Sequence, residues 1–411
     1  MNILLAVSGS IACYKSFDLL RSLLKEGHCV RVVLTKGALN FLKPEMFTYL
    51  GAEKVYGPLD DFNLEKTDEM NSKVLHVELA NWLEKLVIYP ASANTISNLA
   101  FGRCEDLLGG IFLAKKEHKP TIIFPAMNTL MYRHPITKEN LDLLSRIDKT
   151  NDTFICPPIS GELVCKENGE GKVQEVEVAK DLIETTIAKS RLLSKKILIT
   201  TGATIAPIDP VRYVTNPSSG KTGYQLAKKY LSLGFDVTVV AGQNALKELD
   251  HFIENPRYNL VRVRTTRDML KEVEALLKTC NLYVSSAAIS DLEFEASSEK
   301  LKKAKLANSL SFTQSPDVLK FVLENKSPST KVVGFAAETL VNFQTLNEKW
   351  MRKKVDLLVG TKVHSGSDGS TQKGFNVDQC EYTFFKDGKV TNEVTMNKSF
   401  LPEKILEELQ R

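Results

Sequence analysis

Twice in this chain an apolar strand runs into a glycine turn and then into a helix. The first passage is Ile3–Val7, then Ser8-Gly9-Ser10, then a helical pattern closing at Gly27. The second is Ile197–Thr201, Gly202, a long connection ending Ser218-Ser219-Gly220-Lys221-Thr222-Gly223, and a helix closing at Gly234. A strand that feeds a helix N-terminus leaves backbone N–H groups pointing at open space, which suits an anion. Neither turn is a complete fingerprint. The first lacks the second and third glycines of G-x-G-x-x-G, and the second has Thr215 where the first P-loop glycine belongs. The chain is therefore expected to build two phosphate-handling α/β domains of unusual type.

Apolar runs of strand length alternate with helical patterns almost throughout, the mark of a parallel sheet covered on both faces. Strands are expected at 3–7, 30–35, 86–90, 121–125 and 154–156, with helices near 12–26, 94–101, 106–117 and 137–146. A second series places strands at 197–201, 236–241, 260–264, 282–286, 331–335 and 355–359, and helices near 222–233, 266–278, 316–324 and 341–353. Tyr382–Phe385 followed by Lys386-Asp387-Gly388 reads as a hairpin with an Asp-Gly turn, and a last helix spans about 400–410. Residues 179–189 read as a helix and 190–196 as a short basic linker, so the domains are expected at 1–189 and 190–411. Gly366–Gly374 reads as a mobile surface loop. The fold class is α/β, with two doubly wound, mostly parallel, Rossmann-like sheets.

Composition narrows the partners. A net charge of +4 over 411 residues is too small to imply nucleic acid. No apolar run approaches membrane-spanning length, and no basic leader precedes the first strand, so a cytoplasmic protein is expected. Seven cysteines without a C-x-x-C pair argue against a disulfide framework or a cysteine metal site.

In the first half, Ser8-Gly9-Ser10-Ile11 forms an anion-binding turn, and Tyr89-Pro90-Ala91-Ser92-Ala93-Asn94-Thr95 follows a strand at the end where open sheets bind ligands. Pro125-Ala126-Met127-Asn128 follows the next strand and reaches the same edge. His76 falls early in a helix, and Cys165 sits among Gly161, Gly169 and Gly171. In this order these motifs resemble the homo-oligomeric flavin-containing cysteine decarboxylases, in the branch acting on phosphopantothenoylcysteine. The resemblance covers about residues 1–180 and implies a flavodoxin-like flavoprotein. FMN would be cradled by Gly9, Ser10, Ile11, Thr35, Ser92, Ala93, Asn94, Thr95 and Ala126. Asn128 would hold the substrate carboxylate, His76 would assist deprotonation, and Cys165 would return a proton from a closing flap. The hard redox chemistry would be the flavin's. The segment after Cys165 reads Lys166-Glu167, and Glu105-Asp106 stands where most members carry Asn and Asp.

The second half carries Asp209-Pro210-Val211-Arg212-Tyr213, Asn216-Pro217-Ser218-Ser219-Gly220-Lys221, Lys300-Leu301-Lys302-Lys303 and Gly334-Phe335-Ala336-Ala337-Glu338-Thr339. A carboxylate near several lysines and two helix N-termini suits a nucleoside triphosphate with Mg²⁺. The set resembles the bacterial, CTP-using phosphopantothenate–cysteine ligases across nearly all of 195–411. By that match Asn216 would handle an acyl-cytidylate, and Lys300 and its neighbours would neutralise triphosphate. Ser285, Ser286, Ala287, Asp291, Pro316, Asp317, Val318, Leu319, Phe335, Lys349 and Lys353 would line the CTP site, with Asp291 as the Mg²⁺ ligand.

The two resemblances together imply consecutive steps of coenzyme A biosynthesis in one chain, with phosphopantothenate, cysteine and CTP as substrates. FMN sites shared between subunits imply a homo-oligomer. Two other readings fit parts of the sequence. One is a flavin-dependent peptidyl-cysteine decarboxylase fused to an unrelated nucleotide-binding domain. The other is a non-catalytic regulatory homologue, which would be expected to lose Cys165, Asn128 or Lys300; all three are present.

Overall fold

The computed structural model describes residues 1–66, 74–147, 152–162, 168–301, 310–365, 371–373 and 377–411. The chain divides into two compact units, Met1–Leu192 and Leu193–Arg411.

The first unit opens with β1 (Asn2–Val7), a 3-10 turn at Ile11–Tyr14 and α1 (Lys15–Lys25), then β2 (Cys29–Leu34), α2 (Pro44–Tyr49) and β3 (Lys54–Tyr56). It continues with α3 (Leu75–Trp82), β4 (Lys85–Ala91), α4 (Ala93–Ala100), α5 (Leu107–Ala114) and β5 (Thr121–Pro125). α6 (Thr129–Arg133), α7 (Pro135–Ile147), β6 (Thr153–Ile155), β7 (Ile159–Glu162), β8 (Asn168–Lys172) and α8 (Val176–Thr185) complete it. The sheet runs β3-β2-β1-β4-β5-β6 and every pairing in it is parallel.

After their first residues, Asn2 and Lys85, the central strands β1 and β4 carry no charged or amide side chain, because both faces are covered. Alternation splits β1 between two cores. Ile3, Leu5 and Val7 pack with Leu19 and Leu182, while Leu4 and Ala6 pack with Leu79, Ile88 and Ile111. Each fully buried leucine or isoleucine contributes roughly 1.5–3 kcal/mol. The sequence gives little sign of the short α2 and β3, whose six and three residues carry no readable period. The glycine-flanked segment around Gly161 and Gly169 forms an antiparallel ribbon, β7 with β8. α8 starts at Val176 and stops at Thr185, earlier at both ends than the expected helix, because Thr186 is extended.

The second unit contains β9 (Lys196–Thr201), the ribbon β10 (Ile205–Pro207) and β11 (Tyr213–Thr215), and α9 (Lys221–Leu233). β12 (Asp236–Gly242), β13 (Tyr258–Val263), α10 (Thr266–Leu277) and β14 (Leu282–Ser285) follow. After the small ribbon β15 (Leu292–Phe294) and β16 (Phe312–Gln314) come α11 (Val318–Asn325), β17 (Lys331–Glu338), α12 (Phe343–Lys353) and β18 (Leu357–Lys362). β19 (His364–Ser365), β20 (Thr371–Lys373), β21 (Gln379–Lys386), β22 (Lys389–Asn397) and α13 (Leu401–Gln410) end the chain. The main sheet runs β13-β12-β9-β14-β17-β18-β21-β22. Its first six strands are parallel, and β21 and β22 add an antiparallel hairpin at one edge.

Counted along each chain segment, both parallel sheets have the order 3-2-1-4-5-6, the dinucleotide-binding doubly wound order. Each therefore has a switch point beside its first strand, between β1 and β4 and between β9 and β14. Of the expected loop Gly366–Gly374, Thr371–Lys373 pair with His364–Ser365, and the rest lies outside the described residues.

Candidate functional site

At the first switch point the ends of β1 and β4 are tied together. Ser8 Oγ donates to the Pro90 carbonyl at 2.8 Å and accepts from the Ser92 amide at 2.7 Å. Gly9 then passes so close to Gly37 that a Cβ would stand 2.8 Å from the Gly37 carbonyl carbon. Two helical N-termini converge here. Ser10 caps the 3-10 turn and Ser92 caps α4, each hydroxyl accepting a backbone N–H.

A cavity of 390 Å³ is lined by Gly9, Ser10, Ile11, Ser92, Ala93, Ala126 and Asn128 together with Tyr14, Lys15, Met131 and Lys172. An adjoining cavity of 690 Å³ shares Gly9 and Ser92 and adds Thr35, Lys36, Asn94, Thr95, Glu105 and Asp106. The expected flavin residues thus meet around one cleft, with Asn128 at one end. Asn128 Oδ1 accepts from the Leu130 amide at 2.8 Å, which fixes its side chain at the start of α6. β8 seals the same end, where the Met127 amide donates to the Gly171 carbonyl at 3.1 Å.

Lys15 and Lys172 were not legible as site residues. Both pair with Glu175, at 2.8 and 2.7 Å. Lys15 and then Lys172 hold that carboxyl below its ordinary range. Those three groups leave the cavity wall one positive charge, which favours an anionic substrate.

His76 stands apart from Asn128. It lines a separate cavity of 340 Å³ with Asp61, Cys104, Glu105 and Asp106, the last two shared with the 690 Å³ space. Its Nδ1 lies 2.8 and 2.9 Å from the two Asp61 carboxylate oxygens, and its amide donates to Asp61 at 2.9 Å. Such a pairing places a proton on Nδ1, the donor to the Asp61 carboxylate. Asp61 had no sequence signal beyond an acid fifteen residues upstream. Cys165 lies outside the described residues, between β7 and β8 in sequence.

At the second switch point α9 abuts the end of β9. A Cβ on Gly223 would lie 2.3 Å from Thr201 Oγ1, so only glycine allows this approach. Asn216 Nδ2 donates to the Ala288 and Ile289 carbonyls, both at 3.2 Å, and so holds the segment that follows β14. Ser286 Oγ donates to the Thr200 carbonyl at 2.8 Å. Ser286, Ala287 and Phe335 line a 120 Å³ cavity with Ser218–Thr222.

The other predicted residues form a neighbouring set. Asp317 caps α11, accepting from the Lys320 amide at 2.9 Å, and pairs with Lys353. Burial disfavours its charge, but Lys353 and the Lys320 amide outweigh that and hold its carboxyl below the ordinary range. Lys349 pairs with Glu338. Pro316 directly precedes the cap, Val318 is buried in the core and Leu319 packs against it, so these two apolar residues support the helix. Ser285 ends β14 in a buried position, and Asp291 is exposed just beyond it.

The proline-rich connection is an anchor. Asp209 accepts from the Val211 amide at 2.8 Å, the Arg212 amide at 2.7 Å, Arg212 Nε at 3.0 Å and the Leu301 amide at 3.2 Å. Arg212 Nη2 donates to the Leu301 carbonyl at 2.5 Å. Lys300 is exposed beside this clamp. Burial works against ionisation of Asp209, yet the three backbone donors and Arg212 pull its carboxyl down to about 2.

Two doubly wound units, one with a glycine-and-hydroxyl cleft whose wall carries Lys15 and Lys172 and one whose cleft carries Lys221 and Lys398, define a two-domain flavoprotein. The flavoprotein family model matches residues 1–189, and the model for the DNA/pantothenate metabolism flavoprotein C-terminal domain matches 192–411. The coenzyme A biosynthesis bifunctional protein CoaBC of Bacillus subtilis (strain 168) is 33% identical over 99% of this chain and 96% of its own length. Its counterpart from Borreliella burgdorferi is 31% identical over 88% of this chain and 89% of its own. Among solved structures, the FMN binding protein AtHal3 is 34% identical over 44% of this chain and 94% of its own, with a TM-score of 0.38. The chain belongs to the family of coenzyme A biosynthesis bifunctional proteins.

Proposed function

We propose that this chain makes and then decarboxylates one intermediate of coenzyme A biosynthesis. The C-terminal unit joins 4'-phosphopantothenate to cysteine with CTP. The N-terminal unit decarboxylates the resulting 4'-phosphopantothenoylcysteine to 4'-phosphopantetheine. The observation that carries this reading is the likeness to bifunctional relatives over both whole units, laid over a cleft at the switch point of each.

In the N-terminal unit FMN fits the cleft. The two adjoining cavities of 390 and 690 Å³ have the size of small-ligand sites, and two capped N-termini meet there. Gly9, Ser10, Ile11, Thr35, Ser92, Ala93, Asn94, Thr95 and Ala126 would hold it. When bound, the flavin supplies the two-electron chemistry that makes loss of CO₂ feasible. Asn128 orients the substrate carboxylate, and Lys15 and Lys172 favour its negative charge. His76, aligned by Asp61, removes a proton, and Cys165 returns one. Because His76 and Asn128 line different cavities of one chain, a homo-oligomer in which one copy's His76 faces another's Asn128 would complete the site.

In the C-terminal unit the phosphopantothenate carboxylate attacks the α-phosphorus of CTP and pyrophosphate leaves. The cysteine amine then displaces CMP to form the amide. Asn216 positions the acyl-nucleotide, and Lys300, Lys349 and Lys353 neutralise phosphate charge. Ser285–Ala287, Pro316–Leu319 and Phe335 would frame the nucleotide. Mg²⁺ commonly binds through one or two carboxylates plus substrate phosphates, and Asp291 offers such a carboxylate. Among the described residues no helix is long and apolar enough to cross a membrane. A cytoplasmic location fits that reading.

Purified protein given CTP should release pyrophosphate only when phosphopantothenate is present, turn over repeatedly only when cysteine is added, and then release CO₂. Pyrophosphate release that ignores cysteine and phosphopantothenate would sink the ligase half. CO₂ release by flavin-free protein would sink the decarboxylase half.

A further inference from the structure

α5 carries two consecutive glycines, Gly109 and Gly110, inside its eight residues. Neither has the positive φ that calls for glycine. Within a helix glycine is disfavoured against alanine. What the helix needs at both places is room. A Cβ on Gly109 would overlap the Arg103 carbonyl oxygen, so this glycine lets the turn before α5 fold back on its own helix. That turn brings Cys104, Glu105 and Asp106 to the wall of the 340 Å³ cavity. Asp106 also caps the helix, accepting from the Gly109 amide at 2.9 Å.

Gly110 faces His76. A Cβ there would stand 3.1 Å from His76 Cβ, 3.2 Å from Cγ and 3.5 Å from Nδ1. The two carbon distances are shorter than the separation at which carbon atoms attract best. The ring has little freedom to retreat, because Asp61 holds both its Nδ1 and the His76 amide. α3, which carries His76, is packed with α5 through Leu75, Leu79, Leu107 and Ile111, all fully buried. The Leu107 amide donates to the Pro58 carbonyl at 3.0 Å, which ties the segment leading to Asp61 to the same helix. The ring, its carboxylate partner and the cavity wall are all set by one stretch of α5.

We propose that Gly110 is a positioning residue of the decarboxylase site: its bare backbone is the surface that seats the His76 ring on Asp61, and Gly109 fixes the wall beside it. The proposal rests on reading His76 as the base; the contact between positions 76 and 110 does not.

Full-length Gly110→Ala adds one methyl group that suits the helix and crowds the ring. It should retain flavin and ligation. With supplied 4'-phosphopantothenoylcysteine its KM should stay near the parent's and its kcat should fall about tenfold, less than the roughly 10²-fold that a 1 Å misplacement can cost. Its pH profile should move in the same direction as that of Asp61→Asn, since both changes weaken one hydrogen bond. In the Gly110→Ala/Asp61→Asn protein the two losses should not multiply. A pH profile identical to the parent's, or losses that multiply, overturns the positioning role. Unfolding temperature gives a readout free of activity. Gly110→Ala should lower it in the parent and raise it in a His76→Ala background, where the ring is gone and the helix preference for alanine remains. Equal shifts in both backgrounds overturn the contact. Undiminished decarboxylation by His76→Gln overturns the base reading and the positioning role with it, while opposite shifts in the two backgrounds would still establish the seating of the ring on α5.

Discussion

The two units share a strand order and place their clefts at the same switch point, yet they equip those clefts differently. In the first, Ser8, Gly9, Ser10 and Ser92 offer backbone N–H groups and hydroxyls, and close backbone approach does the shaping. In the second, Lys221, paired with Asp378, and the buried Lys398 line the cleft, and further charged pairs of the same unit join Asp209 with Arg212, Asp317 with Lys353 and Glu338 with Lys349. A single phosphate is satisfied by oriented dipoles at a helix N-terminus. A triphosphate carries more charge than dipoles can match, and cations must supply the rest. The fold fixes where the ligand sits, and the loops fix how much charge it can bring.

The comparison breaks most sharply at Gly9. A Gly9→Val side chain would run into the Gly37 backbone, which cannot move aside without shifting β1 or the turn after β2. The purified variant should lack visible flavin absorbance and lose CO₂ release altogether, while ligation continues. Loss of both activities would mean that the two clefts are not independent.

Asn216→Asp makes the converse cut. It sets a carboxylate against the Ala288 and Ile289 carbonyls that the amide now bridges. Amide formation should fall about 10²-fold, the scale of losing one preorganised polar group, with decarboxylation of supplied substrate unchanged. Next in size is His76→Gln, expected to slow decarboxylation by about 10²-fold as a general base is lost. Asp61→Asn should give a smaller loss and a changed pH profile, because the acceptor at Nδ1 loses its negative charge. A pH profile identical to the parent's would reduce Asp61 to a structural contact.

Much of this was legible because it depends on local pattern. The strands at 3–7 and 197–201, the glycine turns and the Pro-Ala-Met-Asn loop are short-range signals, and the turns and the loop follow the carboxyl ends of strands as expected. What stayed hidden depends on contacts far apart in sequence. Glu175 meets Lys15 across 160 residues, and Asp209 meets Leu301 across 92. Tyr382 reads in sequence as one more aromatic of a hairpin strand, and only the fold turns it toward Lys221 and Lys398. The separation of His76 from Asn128 was equally invisible, since both belong to motifs that read as one active site.

The smallest effect concerns the charge that shapes the second cleft. The Asp209 carboxyl sits at about 2 in the folded chain, below an ordinary aspartate near 3.9. A depressed folded pKa means the unfolded chain binds the proton first as the medium acidifies. The stabilisation is therefore complete above about pH 4 and is lost as the pH falls toward 2. Asp209→Asn should flatten the acid-side fall in the urea midpoint of the C-terminal unit over that window. Flavin release, which reports on the cleft of the N-terminal unit, should follow the same acid curve in variant and parent. The variant should also raise KM for CTP at neutral pH, because the Leu301 amide that fixes the Lys300 segment loses a charged acceptor. An unchanged acid slope with a raised KM would make Asp209 an organiser of the lysine loop alone; a slope that changes with flavin release would show that the charged clamp supports both units.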